Sequence, residues 1–161
     1  MAESMVEQRT DPKLFGLSVI SAMRRAAGPA LLAQDFNRRQ PPTLAGTQFD
    51  FLASETAAGL LSMAAVGEMV IDKMPFVPAR ISPLPLAGRM ASGALVGAAL
   101  SAERGEDVTR GAIRAALITA VATFVLYFVR IVLGKSFSTL LSGMLEDAVV
   151  LAYGWSLIER P

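Results

Sequence analysis

Long apolar segments separated by short polar connections dominate the pattern of this chain. About 20 apolar residues of α-helix cross the hydrocarbon core of a bilayer. Four segments approach that length with few charges: residues 51–71, 84–102, 112–133 and 140–158. We therefore predict an all-α fold, a polytopic membrane helical bundle of four to five spans, because short connections favour antiparallel neighbours. The predicted division is a polar N-terminal tail, residues 1–13, and a single transmembrane helical domain, residues 14–161.

The fifth apolar segment, residues 14–34, carries Arg24 and Arg25 at its centre, with Gly28 and Pro29 close behind. An arginine at mid-bilayer costs about 2.5–3.5 kcal/mol on insertion scales, and each half of the segment is too short to span alone. We expect the segment to be broken, re-entrant, tilted or packed inside the bundle. Arg24 and Arg25 are then buried basic residues that do not face lipid.

Composition narrows the possible chemistry. The 161 residues are 53% hydrophobic and 18% charged, whereas about 25% are charged in an average soluble domain. Cysteine and histidine are absent, which excludes disulfides, thiolate nucleophiles, imidazole bases and the usual zinc sites. Without a recognisable nucleophile elbow either, we predict no enzyme, no cofactor and no metal site. The net charge of +1 gives no basic surface for nucleic acid.

A cluster of charges follows the segment at residues 51–71. Glu68 and Asp72 are four residues apart and share one face of a helix, and Lys73 and Pro75 follow them. Two interpretations stay open. The acids form either an interfacial cluster neutralised by nearby basic residues, or a polar site at the mouth of a cavity.

A second pair of acids, Glu146 and Asp147, lies inside the last apolar segment. The pair is about 10 Å from the start of that helix at about 1.5 Å per residue, too deep for a short side chain to reach water easily. Arg130, in the preceding segment, could meet them across the short turn at residues 134–138. The pair is either a buried ion pair that fixes helix register, or a site for a cation or proton.

Small residues recur at helical spacing in two of the segments: Ala64 and Gly67 in the first, Gly93 and Gly97 in the second. Such faces let helix backbones approach closely in a membrane. They indicate either static packing within one subunit or a moving or dimerising interface.

Four short stretches resemble one known family: "SAMRRAAGPALLA", "EMVIDKMP", "PLPLAGRMASGAL" and "LEDAVVLA". In this order and at these separations they resemble the bacterial domain-of-unknown-function 4126 family of small integral membrane proteins. One departure is the Arg24-Arg25-Ala26 run, where the family pattern has a single arginine. The resemblance implies a helical membrane protein and supplies no activity.

These observations favour a small integral membrane protein with an intramembrane site of acids and arginines, in the bacterial inner (cytoplasmic) membrane. The first hypothesis is permeation or transport of a small cation or solute. The alternative is a structural or accessory subunit of a larger membrane complex. Predicted partners are membrane lipids and either further copies of the chain or other subunits. If all five segments cross, Lys and Arg divide seven against six between the two sides, which selects no orientation.

Overall fold

The computed structural model describes residues 11–39, 43–71, 82–133 and 139–158. Within these ranges the chain forms six α-helices and no strand, which confirms the predicted all-α class. The helices are α1 (Pro12–Met23), α2 (Ala27–Arg38), α3 (Glu55–Ile71), α4 (Pro83–Glu103), α5 (Val108–Leu133) and α6 (Thr139–Ile158). A short 3-10 helix, Asp50–Ala53, leads into α3. Asp72 and Lys73 lie outside the described residues.

Polar side chains set where several helices begin. The Asp11 carboxylate accepts the backbone N–H of Lys13 at 3.0 Å, so α1 begins at Pro12, inside the predicted polar tail. Ser54 caps α3 in the same way, through the N–H of Ala57. Asp107 accepts the N–H of Arg110 at 3.0 Å, and α5 therefore begins four residues before the predicted apolar segment.

The segment at residues 14–34 is broken, as expected, and its two halves form a hairpin. Lys13, at the start of α1, meets Asp35, near the end of α2, with Nζ 2.6 Å from Oδ2. The two helices also pack closely, because a Cβ built at Gly28 would lie 2.0 Å from Ser21 Oγ. They are therefore antiparallel. We call the turn at residues 24–26 the tip and the opposite, open end the mouth.

This hairpin is the centre of the bundle. α1 packs against α4, α5 and α6, while α2 packs against α3, α4 and α6. The large side chains with less than 2% exposure include these members of its core: Leu17, Ile20, Leu32, Phe36, Val96 and Leu100. Longer helices cover both halves of the hairpin, and at its tip Arg24 is buried whereas Arg25 is exposed.

α4 and α5 form the closest helix pair, joined by a turn at Gly105. Gly105 has φ +67°, a left-handed conformation that ends α4. A Cβ at Gly97 would lie 2.3 Å from the carbonyl oxygen of Gly111, and one at Gly93 would lie 2.1 Å from Thr119 Oγ1. The Gly93 and Gly97 face is thus used for packing within the subunit.

One helix of the described residues, Val108–Val132, is long and apolar enough to cross a membrane by length and composition. The core helix of a soluble protein can pass the same test, but such a helix is buried. Only 17% of the most apolar window of this helix is buried inside the protein. α5 therefore presents an extensive apolar surface to its surroundings.

Several charged side chains are buried, while many large apolar side chains are exposed. Arg24, Glu68 and Arg89 are among the buried residues, although charged side chains are almost never fully buried unless they are paired. Large apolar side chains are instead exposed along three helices: Met63, Val66 and Val70 on α3; Leu117, Val121, Val125 and Phe128 on α5; Leu145, Val149 and Leu151 on α6. The surroundings that suit such a surface are apolar.

Candidate functional site

The tip exists because α1 cannot continue into α2. Arg24 has an extended backbone, with φ −138° and ψ 117°, and it ends α1. Pro29 lies in the first turn of α2, where its missing N–H is tolerated. In a continuous helix the Pro29 ring would clash with the carbonyl of Arg25, four residues earlier. The sequence thus interrupts the backbone beside two adjacent arginines.

The first arginine of the tip forms a buried ion pair with α6. Asp147 Oδ1 accepts a hydrogen bond from Arg24 Nε at 2.9 Å and lies 2.6 Å from Arg24 Nη2. The Arg24 side chain is only 1% exposed. This pair joins the tip to the middle of α6 in a region from which water is largely excluded.

The second arginine is bound differently, because its backbone is engaged as well as its side chain. Glu68 of α3 accepts the N–H of Arg25 on Oε1 at 2.9 Å and the N–H of Ala26 on Oε2 at 2.8 Å. Arg25 Nε lies 3.3 Å from Glu68 Oε1. Glu68 therefore caps the start of α2, where the helix dipole also favours a negative charge.

α4 supplies a third contact to the tip. Ser92 donates its hydroxyl hydrogen to the carbonyl oxygen of Arg25. A Cβ at Gly88 would lie 3.2 Å from Arg25 Cδ, so α4 passes close to this side chain. Three surrounding helices thus each contribute a polar side chain to one non-helical turn. Glu68 and Ser92 bind backbone groups of the turn, and Asp147 binds the Arg24 side chain.

The tip lies about halfway along α4 and α6, but near the end of α3, where its contact Glu68 is three residues before Ile71. Ser92 is 11 residues before the end of α4 and Asp147 is 11 residues before the end of α6. At about 1.5 Å per residue, both contacts are about 17 Å from the mouth-side ends of their helices. The hydrocarbon core of a bilayer is about 30 Å thick, so the tip corresponds to its middle if these helices span it.

The predicted acids do not gather around one point in the described part of the chain. Glu68 and Asp147 both reach the tip, whereas Glu146 faces Arg130, with Oε2 3.6 Å from Nη1. The expected proximity of Arg130 to the acid pair is therefore observed, for Glu146. No group of three or more acids suited to a metal ion occurs among the described residues.

Two other predictions differ from the structure. Arg25 is not buried, because its side chain is 50% exposed while its backbone binds Glu68. Gly67 has open space around its α-carbon and Ala64 is exposed, so their face of α3 packs on no helix of the described residues. The small-residue pattern alone did not separate this face from the packed face of α4.

The sequence did not indicate a second polar cluster, at the mouth. Asp35 binds both Lys13 and Arg39, each at 2.6 Å. Arg39 also pairs with Glu103 at the end of α4, and Arg104 pairs with Asp11. We call these six residues the mouth network. Asp35 and Arg39 are four residues apart, the spacing of a helical ion pair. This spacing was the sequence feature that could have indicated the cluster.

No family model, curated protein or solved structure matches the chain. The geometry of the tip and of the mouth network is therefore the basis for assigning a function. The resemblance to the domain-of-unknown-function 4126 family stays a prediction.

Proposed function

We propose that the chain is an integral membrane protein with four spans, α3 to α6, and one re-entrant hairpin. At about 1.5 Å per residue these helices are about 26 to 39 Å long, close to or beyond the hydrocarbon thickness of about 30 Å. The exposed apolar surfaces and the buried charges support this assignment. The bacterial inner (cytoplasmic) membrane is the proposed location.

The proposed function is permeation or transport of a small cation or solute past the hairpin tip. The observation that carries it is the turn itself: non-helical backbone about halfway along α4 and α6, with Arg24 and Arg25 bound by acids from two different helices. Such backbone is tolerated in membranes only where it is buried in protein or lines a water-filled cavity. Transporters commonly place their binding sites at interrupted helices near the bilayer midplane.

The ion pairs restrict what can pass. Glu68 and Asp147 are already neutralised by basic groups, so neither is a ready ligand for a resident divalent ion. To bind here, a cation would have to displace Arg24 from Asp147, or the N–H donors from Glu68. The original contact would then have to re-form when the cation leaves. A monovalent cation, a proton or a small polar solute suits such a reversible exchange.

Flux through reconstituted liposomes tests this function. The purified protein should carry at least one member of a panel of Na⁺, K⁺, H⁺, urea and glycerol. Glu68→Gln and Asp147→Asn should lower that flux per folded molecule, and Glu55→Gln, an exposed acid of the same α3, should leave it unchanged. Unaltered flux in Asp147→Asn, together with a large loss of stability, would contradict a transport role for the pair.

A structural or accessory subunit is the second candidate, and one observation favours it. The described acids of the tip are paired off within the subunit, as a structural site requires. The Ala64 and Gly67 face of α3 would then dock a helix of a second copy or of another subunit. On this hypothesis the purified protein carries no member of the panel, and Asp147→Asn changes stability alone.

A further inference from the structure

The mouth network joins both open ends of the hairpin to α4. Arg39, after the last turn of α2, pairs with Glu103 at the end of α4. Asp11, before the first turn of α1, pairs with Arg104, directly after α4. The hairpin is therefore attached to α4 at two levels, at the tip and at the mouth. Between them, Thr119 of α5 donates a hydrogen bond to the carbonyl oxygen of Ser18 in α1.

One face of α4 runs between these two levels. Ser92, Val96, Ala99 and Glu103 follow one another at intervals of four, three and four residues, which places them on the same side of the helix. Ser92 contacts the tip and Glu103 contacts the mouth network. Val96 and Ala99 between them are 0% exposed. The hairpin thus covers this face over its whole length.

The two attachments differ in strength. Arg24 at the tip is 1% exposed, whereas Arg39 and Arg104 at the mouth are about one-third exposed. The second tip arginine, Arg25, is half-exposed, but its backbone N–H is also bound by the buried Glu68. Separating a partly exposed ion pair costs less free energy than separating a buried one, which leaves a buried charge without its partner. Salt also screens the exposed pairs much more. The mouth is therefore the attachment that separates first.

We propose that the mouth network is a built-in opening device: the open end of the hairpin separates from α4 while the tip stays bound. Separation uncovers Ala99 and then Val96, and so forms a route along α4 from the mouth side to the tip. The opening is a property of the hairpin alone. Its use as the access route for a solute rests on the proposed function.

Thiol labelling tests this opening directly, because the chain has no cysteine and Val96→Cys is then a single reporter. A membrane-impermeant maleimide added on the mouth side should react slowly with Val96→Cys alone. Adding Glu103→Gln should raise the rate about fivefold, the factor that corresponds to about 1 kcal/mol for a partly exposed ion pair. Adding Glu106→Gln, an exposed acid of the following turn, should leave the rate unchanged.

Ionic strength provides a second arm that alters no charged residue. Raising the salt concentration from 0.1 to 1 M shortens the Debye length from about 10 to about 3 Å. Labelling of Val96→Cys should therefore accelerate with salt, and this acceleration should shrink once Glu103→Gln is present. The acceleration by salt is measured in Val96→Cys without any charge substitution, so a folding defect of Glu103→Gln cannot cause it.

The outcomes separate the opening from the function. Equal labelling rates in all backgrounds and at all salt concentrations would overturn the proposal. Labelling that changes as expected, with no flux of any panel member, would support the opening and overturn its role as an access route. Flux that rises in Glu103→Gln together with the labelling rate would support both.

Discussion

Arg24 and Asp147 are 123 positions apart, yet one carboxylate oxygen of Asp147 accepts a hydrogen bond from Arg24 Nε and lies 2.6 Å from Nη2 of the same guanidinium. This contact ties the first interrupted helix of the chain to the middle of the last helix. It also neutralises an arginine that is almost wholly excluded from solvent. The stability of the bundle should therefore depend on the pair more than on any exposed charge.

Asp147→Asn should lower the free energy of unfolding by about 3–5 kcal/mol, because it removes the negative charge that pairs with the buried Arg24 guanidinium. Equilibrium unfolding in detergent micelles measures the loss. The double variant Arg24→Met, Asp147→Leu should be more stable than Asp147→Asn, since it removes both charges together. A double variant no more stable than Asp147→Asn would show that the charge imbalance is not the cause.

Glu68→Gln should destabilise the start of α2. A neutral amide keeps one acceptor for the Arg25 and Ala26 N–H groups but loses the charge that favours a helix N-terminus, an effect of about 1–2 kcal/mol. Unfolding measurements on Glu68→Gln and on Glu55→Gln, at the exposed first turn of the same helix, give the comparison. Equal losses in the two variants would argue against a capping role for Glu68.

A matched pair of glycines tests which small-residue face carries the packing. Gly97→Ala should cost about 1–3 kcal/mol, because the new methyl group would meet the backbone of Gly111 and force α4 and α5 apart. Gly67→Ala meets nothing within 4 Å and should be neutral, or stabilising by up to about 1 kcal/mol. Destabilisation by Gly67→Ala would instead reveal a partner on that face of α3.

How much the sequence could predict varies along the chain. The interruption beside Arg24 and the four longer helices followed from local signals: mid-segment arginines, Gly28-Pro29 and apolar length. The direction of the second half-helix did not, because reversal depends on contacts such as Lys13 with Asp35, far apart in sequence. Periodicity describes a helix but does not say whether the next helix continues or turns back.

The same limit explains the site. Glu68 was a candidate site residue because it stands at the end of an apolar segment. Its role depends on hydrogen bonds to the backbone N–H groups of Arg25 and Ala26, which a pattern of side chains does not predict. Asp35 lies just beyond the apolar segment at residues 14–34, whereas α2 continues to Arg38. The pair of Asp35 with Arg39 was hidden by that boundary.

The hairpin also narrows the predicted topology from four or five crossings to four. If residues 14–34 do not cross, α3 to α6 are four crossings, and the mouth side holds both ends of the described chain. Among the described residues outside the tip, the basic ones on the mouth side are Lys13, Arg38, Arg39, Arg104, Arg110 and Arg114, against Arg89 and Arg130 in the opposite half. An excess of Lys and Arg marks the cytoplasmic side. We therefore expect the mouth to face the cytoplasm.

Single-cysteine labelling in sealed inverted and right-side-out vesicles measures this orientation, and the chain supplies no background thiol. Pro12→Cys and Gln48→Cys lie on the two sides of the hairpin segment, both at the mouth, so an impermeant reagent should reach both from the cytoplasmic face. Ser82→Cys, directly before α4, should react only from the opposite face. If Pro12→Cys and Gln48→Cys reacted from opposite faces, residues 14–34 would cross the membrane and the hairpin would be wrong. If all three reacted from one face, the four-span topology would fail while the hairpin contacts, which are internal to the subunit, would still stand.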